Sequence, residues 1–296
     1  MLLTAAMSWD QEAGFSCSKT CTVLDWRLLQ TDGAIVDLNG HFVTCNSLEN
    51  CIMLSGVGVQ LFDSVVRGAL HENLRIEGNG HTVKNMTSGP ADVDVVVIGD
   101  NNRLINVISR SAINPALSIF GNNNQLSDSI AQCGLQLFSG SGCINVSGDT
   151  NRLSNNFVTL RVDGTALVIH GNNNQLSDNI ARCGEIFSER CVTVSGNGNR
   201  VTDNFVQTIP AESGDKVNLS VNGNHNVVRR NKIMGFSWEP DSDDVNGTVV
   251  SGTGNDIRHN TALDNSPFDL RDTNGDCAHN TWKFNTFLTA DPPCIQ

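Results

Sequence analysis

The sequence predicts an all-β protein built as a parallel β-helix, a solenoid of about ten coils with three short strands per coil and stacked asparagine corners. Three observations lead to this fold class: an internal repeat, a two-residue hydrophobic period within each copy, and asparagine at fixed positions after a glycine. The clearest copies are GNNNQLSDSIAQC at 121–133 and GNNNQLSDNIARC at 171–183, which agree at eleven of thirteen positions.

The repeat is a series rather than a pair. Apolar residues alternate before the repeat glycine, as at Leu167 and Ile169, which is typical of a strand with one buried face. Leu176 and Ile180 mark two further apolar segments after it. Because one copy cannot bury its apolar residues alone, the copies must stack around a shared core. The aligned glycines are Gly78, Gly99, Gly121, Gly148, Gly171, Gly196, Gly223 and Gly252.

Asparagine recurs at two positions of the repeat. Glycine and asparagine both tolerate the left-handed backbone angles that corners need. Stacked asparagine side chains can also hydrogen-bond along the axis and satisfy buried corner amides. Three residues after the glycine stand Asn102, Asn124, Asn151, Asn174, Asn199, Asn226 and Asn255, and eight residues after it stand Asn156, Asn179, Asn204, Asn231 and Asn260.

Composition limits the class of partner. The 296 residues carry a net charge of −12, which argues against a nucleic-acid partner, since phosphate backbones are polyanions. No apolar run approaches the length of a membrane span. Nothing in the sequence specifies the oligomeric state.

The ten cysteines fall into close pairs without zinc-ligand spacing, which predicts five local disulfides and a secreted protein, extracellular or periplasmic. A metal site or a thiol nucleophile is the alternative. Three of the pairs would close loops on the same side of different coils. The predicted pairs are Cys17–Cys21, Cys45–Cys51, Cys133–Cys143, Cys183–Cys191 and Cys277–Cys294.

We expect one domain over residues 1–296. Residues 1–30 form an N-terminal segment and cap, residues 31–276 the coils, and residues 277–296 a C-terminal cap pinned by a disulfide. Caps are needed because an open β-helix end exposes strand edges and core. The aromatic residues Trp282, Phe284 and Phe287 are candidate plugs.

The motifs DLNGH near the start, GNxNxLxxN in the repeats and NTF…PPCI at the end carry a family resemblance. Over about residues 30–296 the chain resembles secreted right-handed β-helix repeat proteins of the pectate-lyase-like superfamily. That superfamily includes polysaccharide lyases, glycoside hydrolases, epimerases, esterases and phage tailspikes. The resemblance therefore implies a right-handed coil and a carbohydrate-related role, but it does not specify a reaction.

The residues seven positions after the repeat glycines form a polar column that is a candidate functional site. Asp178 and Asp203 stand seven residues after their glycines and are the candidate calcium ligands, since Ca²⁺ prefers several oxygen ligands. Arg230, Lys232 and His259 lie just beyond and are the candidate catalytic residues. A cation would neutralise a uronic-acid carboxylate while a basic side chain removes the adjacent proton, which is a β-elimination. The alternative is that these side chains hydrogen-bond to neighbouring turns.

The acidic loop GFSWEPDSDDVNG at 235–247 is a second candidate. Trp238 would stack on a sugar ring, while Asp241, Asp243 and Asp244 would bind substrate or supply the two carboxylates of a glycoside hydrolase. The alternative is a solvated acidic loop. Two function classes follow from the sequence: an enzyme acting on an acidic polysaccharide, with a lyase favoured over a hydrolase, or a non-catalytic glycan-binding or cell-surface structural protein.

Overall fold

The computed structural model describes residues 9–10, 14–16, 32–45, 50–111, 115–134, 142–161, 164–184, 190–208, 216–235 and 245–296. Every regular element in these ranges is a β-strand, and the strands form a parallel solenoid of about ten coils. This confirms the predicted fold class and agrees with a right-handed parallel β-helix. In the same ranges, no helix is long and apolar enough to cross a membrane.

The strands that precede the repeat glycines form one ladder of eleven, here called face A. Its members are Ile52–Val57, Leu74–Asn79, Val95–Ile98, Leu117–Phe120, Gly142–Ser147, Thr165–His170, Arg190–Ser195, Lys216–Asn222, Val245–Ser251, Leu270–Asp272 and Ala290–Asp291.

The other twenty strands form two further faces that share one sheet. Face B follows the glycine corner: Ile35–Asp37, Gln125–Ser127, Arg152–Ser154, Gln175–Ser177, Arg200–Thr202, Val227–Arg229, Asp256–Arg258 and Thr281–Lys283. Face C follows the second corner: Phe42–Thr44, Ile130–Cys133, Phe157–Leu160, Ile180–Cys183, Phe205–Thr208, Lys232–Met234 and Thr261–Leu263. Gln60–Arg67, Thr82–Ser88 and Arg103–Ser111 run through both faces, and Trp9–Asp10 and Gly14–Ser16 precede them.

Equivalent residues of successive coils pair in register. On face A, Ile119 pairs with Val97 of the preceding coil and Val146 of the following one, as the glycine alignment requires. All three side chains are buried in one core that runs along the axis. The two-residue period of the sequence thus marks the core-facing side of each strand.

The repeat glycines stack directly on one another. The φ angle of Gly171 is +134°, and a Cβ atom there would lie 2.0 Å from the carbonyl oxygen of Gly148. Such an approach leaves no room for a side chain, and this backbone region is almost restricted to glycine. Glycine is therefore required here by contact with the next coil as well as by the turn.

The two predicted asparagine ladders are confirmed inside the corners. At the glycine corner, Asn174 Oδ1 accepts the backbone N–H of Asn151 at 2.8 Å, and its Nδ2 donates to the carbonyl of Gly148 at 2.9 Å. At the second corner, Asn204 Oδ1 accepts the N–H of Asn179 at 2.9 Å. These buried side chains satisfy backbone groups that the turns leave without a strand partner.

A third ladder, at the residue directly after each glycine, was not predicted. Asn172 donates its backbone N–H to Asp149 Oδ1 at 2.6 Å, and Asn197 donates its N–H to Asn172 Oδ1 at 2.9 Å. These bonds join each coil to the preceding side chain, opposite to the direction of the inner ladders. The glycine corner is thus bonded along the axis on both its inner and outer sides.

Four of the five predicted disulfides are present: Cys45–Cys51, Cys133–Cys143, Cys183–Cys191 and Cys277–Cys294. The first three join the end of a face C strand to the start of the face A strand in the same coil. They therefore close the third corner, where the connecting segments vary in length. Cys17 and Cys21, and most of the N-terminal segment 1–30, lie outside the described residues. Four bridges are compatible with an extracellular protein.

The C-terminal aromatics behave differently from one another. Trp282 is buried as part of the core, and its Nε1 donates to Asp272 Oδ2 at 3.0 Å. Phe287 packs against the core edge. Phe284 is 68% exposed and is therefore not a plug. Its corner position points the ring outward, where it stacks on His259.

Candidate functional site

The predicted polar column forms the outer edge of the second corner, between faces B and C. Each member adopts the left-handed backbone conformation, with φ of 57° at Asp178, 60° at Asp203 and 55° at Arg230. Their side chains point outward, because the following residue supplies the buried asparagine ladder. This outer column comprises Asp63, Asn85, Asn106, Asp128, Asn155, Asp178, Asp203, Arg230, His259 and Phe284.

Asp203 and Arg230 form a bidentate ion pair across neighbouring coils. Arg230 Nε donates to Asp203 Oδ1 and its second nitrogen to Asp203 Oδ2, both at 2.7 Å. The hydrogen bonds from Arg230 lower the pKa of the Asp203 carboxyl, and those to Asp203 raise the pKa of Arg230, with a further contribution from Asp178. Elsewhere in the column, asparagines fill the same role: Asn155 Nδ2 donates to Asp128 at 3.3 Å.

The residues around Asp178 and Asp203 do not fit a calcium ion. Ca²⁺ takes six to eight oxygen ligands, whereas both oxygens of Asp203 already accept from a guanidinium. No group of three or more His, Cys, Asp or Glu side chains placed to hold a metal occurs in the described ranges. The calcium site stays a prediction, which removal of calcium with a chelator tests.

The three predicted catalytic residues come together at one end of the outer column. Arg230 and His259 are successive members of it, and Lys232 starts the face C strand two residues after Arg230. The Lys232 ammonium lies 5.8 Å from the centre of the Phe205 ring, and the His259 ring stacks on Phe284 at 5.1 Å. We call Arg230, Lys232 and His259 the basic corner.

The roles open to these side chains differ. A general base must be able to lose its own proton near neutral pH, and arginine is effectively always charged. The ion pair with Asp203 raises the pKa of Arg230, so this side chain loses its proton even less readily. Lys232 is exposed and makes no ion pair with any residue that the structure describes, so its charge is directed to solvent. Lys232 is thus the group best placed to meet a ligand.

The second candidate site cannot be placed. Trp238, Asp241, Asp243 and Asp244 lie in 236–244, outside the described residues. Their predicted role in substrate binding stays a prediction.

Charge alternation between coils is a feature that the sequence analysis missed. On face B, Arg103, Gln125, Arg152, Gln175 and Arg200 pair in register one above another. Coils stand about 4.8 Å apart, and like charges directly opposite destabilise a sheet. Alternating arginine with glutamine keeps like charges two coils apart. The sequence shows the same alternation at two positions of the repeat, one and four residues after the glycine. The copies at Gly99 and Gly148 have Asp and Arg at these positions, whereas the copies at Gly121 and Gly171 have Asn and Gln.

Exceptions to the alternation carry compensating ion pairs. Arg229 and Arg258 are paired in register, and Asp256 accepts hydrogen bonds from both. Asp178 and Asp203 are likewise neighbours in the column, and Arg230 follows them. The contacts of Asp203 and Asp256 therefore have a structural explanation in charge balance.

A buried acid near the third corner was also missed. Asp94 is fully buried and accepts hydrogen bonds from Asn73 at 2.7 Å, Ser109 at 2.7 Å, the Arg110 amide at 2.9 Å, and the Ser88 hydroxyl. Burial raises the pKa of this carboxyl, against the effect of these donors. No substrate reaches it, because the side chain has no exposed surface. It is a structural group that joins three successive coils.

Comparisons with known proteins give no family for this chain. The chain matches no protein-family model, and no curated protein matches it. Among solved structures it is similar to a mannuronic-acid-specific polysaccharide family 6 lyase from human gut microbiota, with a TM-score of 0.40 and 13% identity over 91% of this chain and 75% of that one. It is also similar to the Dettilon tailspike protein, with a TM-score of 0.32 and 11% identity over 87% and 60% of the two chains. At these TM-scores neither likeness carries an argument about function.

Proposed function

We propose that this protein binds an acidic polysaccharide at the basic corner. The observation that carries the proposal is the placement of Lys232, an exposed ammonium without an ion-pair partner in the described part of the chain, beside the ring of Phe205. An aromatic ring offers the apolar face of a sugar a surface to stack on, and the ammonium pairs with a carboxylate or sulfate. Arg230 stands beside them and keeps its charge at all working pH values.

Cleavage by β-elimination is the second candidate function. It is favoured by the position of Lys232 two residues after Arg230 and of His259 next to Arg230 in the outer column, on the following coil. In that reaction His259 would take the proton next to the sugar carboxylate. The electron pair left behind would form the new double bond, the glycosidic C–O bond would break, and the Lys232 ammonium would return a proton to the leaving oxygen.

Binding is tested with purified protein and immobilised or soluble polygalacturonate, alginate and hyaluronan, with dextran as the neutral control. Lys232→Thr removes the charge and introduces the residue that stands at the same position in the next coil, Thr261. We expect the variant to lose most binding to acidic polymers. Arg152→Gln is the matched control, since the neighbouring coils carry glutamine there. Equal binding by Lys232→Thr and the parent protein would contradict the basic corner.

Cleavage is tested separately by the ultraviolet absorbance of unsaturated sugar ends, with calcium and then with chelator. A rise that is lost in Lys232→Thr and His259→Gln supports elimination, and loss in chelator would support the predicted calcium. A flat trace from a protein that still binds the polymer excludes elimination and leaves the non-catalytic glycan-binding function.

A further inference from the structure

The outward side of face C carries a continuous apolar stripe next to the basic corner. Five successive coils contribute to it in register: Ile108, Ile130, Phe157, Ile180 and Phe205. Each side chain is at least partly exposed, and Ile180 is 37% exposed. Because outward residues of a solvated sheet are normally polar, a stripe that persists over five coils indicates a surface that something covers.

Face C also differs from the rest of the molecule in charge. The next outward position along its strands holds Arg110, Gln132, Thr159, Arg182 and Gln207, and the stripe itself ends at Lys232. Within the described ranges no face C segment contains Asp or Glu. In a chain of net charge −12 this face is therefore cationic. The nearest acids are Asp128, Asp178 and Asp203 of the outer column, two residues before the stripe, and Asp203 is paired with Arg230.

Two aromatic–cation pairs repeat along the stripe. The Arg182 guanidinium lies 5.6 Å from the centre of the Phe157 ring, and the Lys232 ammonium lies 5.8 Å from that of Phe205. In each pair the cation belongs to the coil after the ring. Ile180 separates the two rings, so the rings are two coils apart along the axis, or about 9.6 Å. The two cations are also two coils apart, with Lys232 in the stripe and Arg182 at the next outward position of its strand.

We infer that face C is a docking surface for a linear acidic polysaccharide lying along the solenoid axis, with Phe157/Arg182 and Phe205/Lys232 as two subsites. The inference rests on the proposed function and extends it from one corner to a track. One coil rises by about 4.8 Å, which is close to the length that one pyranose adds to an extended chain. The two subsites would therefore hold alternate sugars, with Ile180 beneath the sugar between them.

The spacing of the cations selects the class of polymer. Each strand of duplex DNA carries a phosphate about every 3.4 Å along the helix axis, which is far denser than one cation per two coils. A glycan with one carboxylate on every second sugar has the same charge spacing as Arg182 and Lys232. Each carboxylate would then meet one cation, and none would be left on the surface without a partner. Hyaluronan, which alternates a uronate with a neutral sugar, has this pattern and is the probe of choice.

Neighbouring coils supply substitutions that the solenoid already accepts. Phe157→Ile and Phe205→Ile introduce the residue of the intervening coil, Ile180. Arg182→Gln introduces the residue found at Gln207, and Lys232→Thr that of Thr261. Each subsite can thus be removed as a pair without changing the buried face. Arg152→Gln on face B remains the matched control.

The experiment measures hyaluronan binding by calorimetry for the parent protein, for each paired variant, for the fourfold variant and for the control. We expect each pair to weaken binding by about tenfold or more, which corresponds to about 1.4 kcal/mol. The fourfold variant should not bind, and the control should bind as the parent does. Oligosaccharides too short to span both subsites should bind the parent about as weakly as the polymer binds a single-pair variant.

The outcomes separate the track from the corner. If Phe157→Ile/Arg182→Gln binds as the parent does while Phe205→Ile/Lys232→Thr does not, the track is wrong and the basic corner stands. If the parent binds none of the acidic polysaccharides, the proposed function itself falls. If poly(dT) competes as well as hyaluronan does, the occupant is a nucleic acid and the glycan assignment is overturned.

Discussion

Arg230 donates two parallel hydrogen bonds of 2.7 Å to Asp203, which lies in the preceding coil of the outer column. Asp178 and Asp203 are successive members of the outer column, so two negative charges lie on neighbouring coils. The positive charge of Arg230 on the next coil balances one of them. Both partners are largely solvent-exposed, 35% for the Asp203 side chain and 55% for Arg230. Exposed pairs contribute little to stability on average, so the measurable consequence is the pH dependence of the pair.

Arg230→Gln should therefore alter stability in a pH-dependent way. The ion pair lowers the pKa of Asp203 in the folded state. A lowered acid pKa contributes stability above the unfolded value, near pH 4, and that contribution is lost as pH falls through the lower folded value. Urea unfolding should show Arg230→Gln less stable than the parent at pH 7, and the difference should shrink as the pH falls below about 4 through the lowered pKa of Asp203. A difference of the same size at pH 7 and at low pH would contradict this. Arg152→Gln serves as the control, since Arg152 forms no ion pair with any residue in the described ranges.

Asp94→Asn should change stability with the opposite sign. Burial raises the pKa of Asp94, so the folded protein holds this proton more tightly than the unfolded chain does. The contribution of Asp94 to stability must then fall as pH rises from about 4 through the raised value. Relative to the parent, Asp94→Asn should gain stability between pH 4 and pH 7. Asp149→Asn, at an outer corner where Asn122 and Asn172 are the equivalents, is the control, and parallel curves for both variants would refute the assignment.

Asn174→Ala should be strongly destabilising although it removes no apolar contact of note. It deprives the N–H of Asn151 and the carbonyl of Gly148 of their partners inside the corner. Each unsatisfied buried group costs about 1–3 kcal/mol, so the free energy of unfolding should fall by roughly 2–6 kcal/mol. Asn173→Gly is the control, because Gly198 stands at the equivalent position and the residue has a φ of 56°. A loss below about 1 kcal/mol would show that water replaces the ladder.

Gly171→Ala tests the stacking of the glycine corner. The added methyl group would lie 2.0 Å from the carbonyl oxygen of Gly148, and φ is +134°. We expect a loss of more than about 3 kcal/mol, or failure to fold, since both the contact and the backbone angle are unfavourable. Gly40→Ala is the control, with φ of +74° and no atom within 4 Å of the added carbon, and should cost only about 1–2 kcal/mol. Similar thermal stability of the two variants would contradict the stacking argument.

The repeat by itself determined the fold, the register and most of the disulfides. Each coil reuses the same short-range pattern, so the glycine at 171 and the asparagine at 174 have the same role in every copy. Local sequence is therefore sufficient to place strands, corners and core, because neighbouring coils are related by one fixed translation. Ladder residues such as His81 fit the same alignment: its N–H donates to Asn102 Oδ1 at 2.9 Å, so it stands in an asparagine position.

Only the tertiary structure decided what the outward side chains do, because their partners come from other coils. Sequence placed Asp203 and Arg230 in one column, but whether the carboxylate meets a cation, a solvent molecule or a guanidinium depends on side-chain geometry across the coil spacing. The same holds for face C. Phe157 and Arg182 are twenty-five residues apart in sequence, yet the translation between coils places the cation over the ring. Core positions are determined by a repeated local pattern, whereas surface chemistry depends on particular residues that stacking brings together.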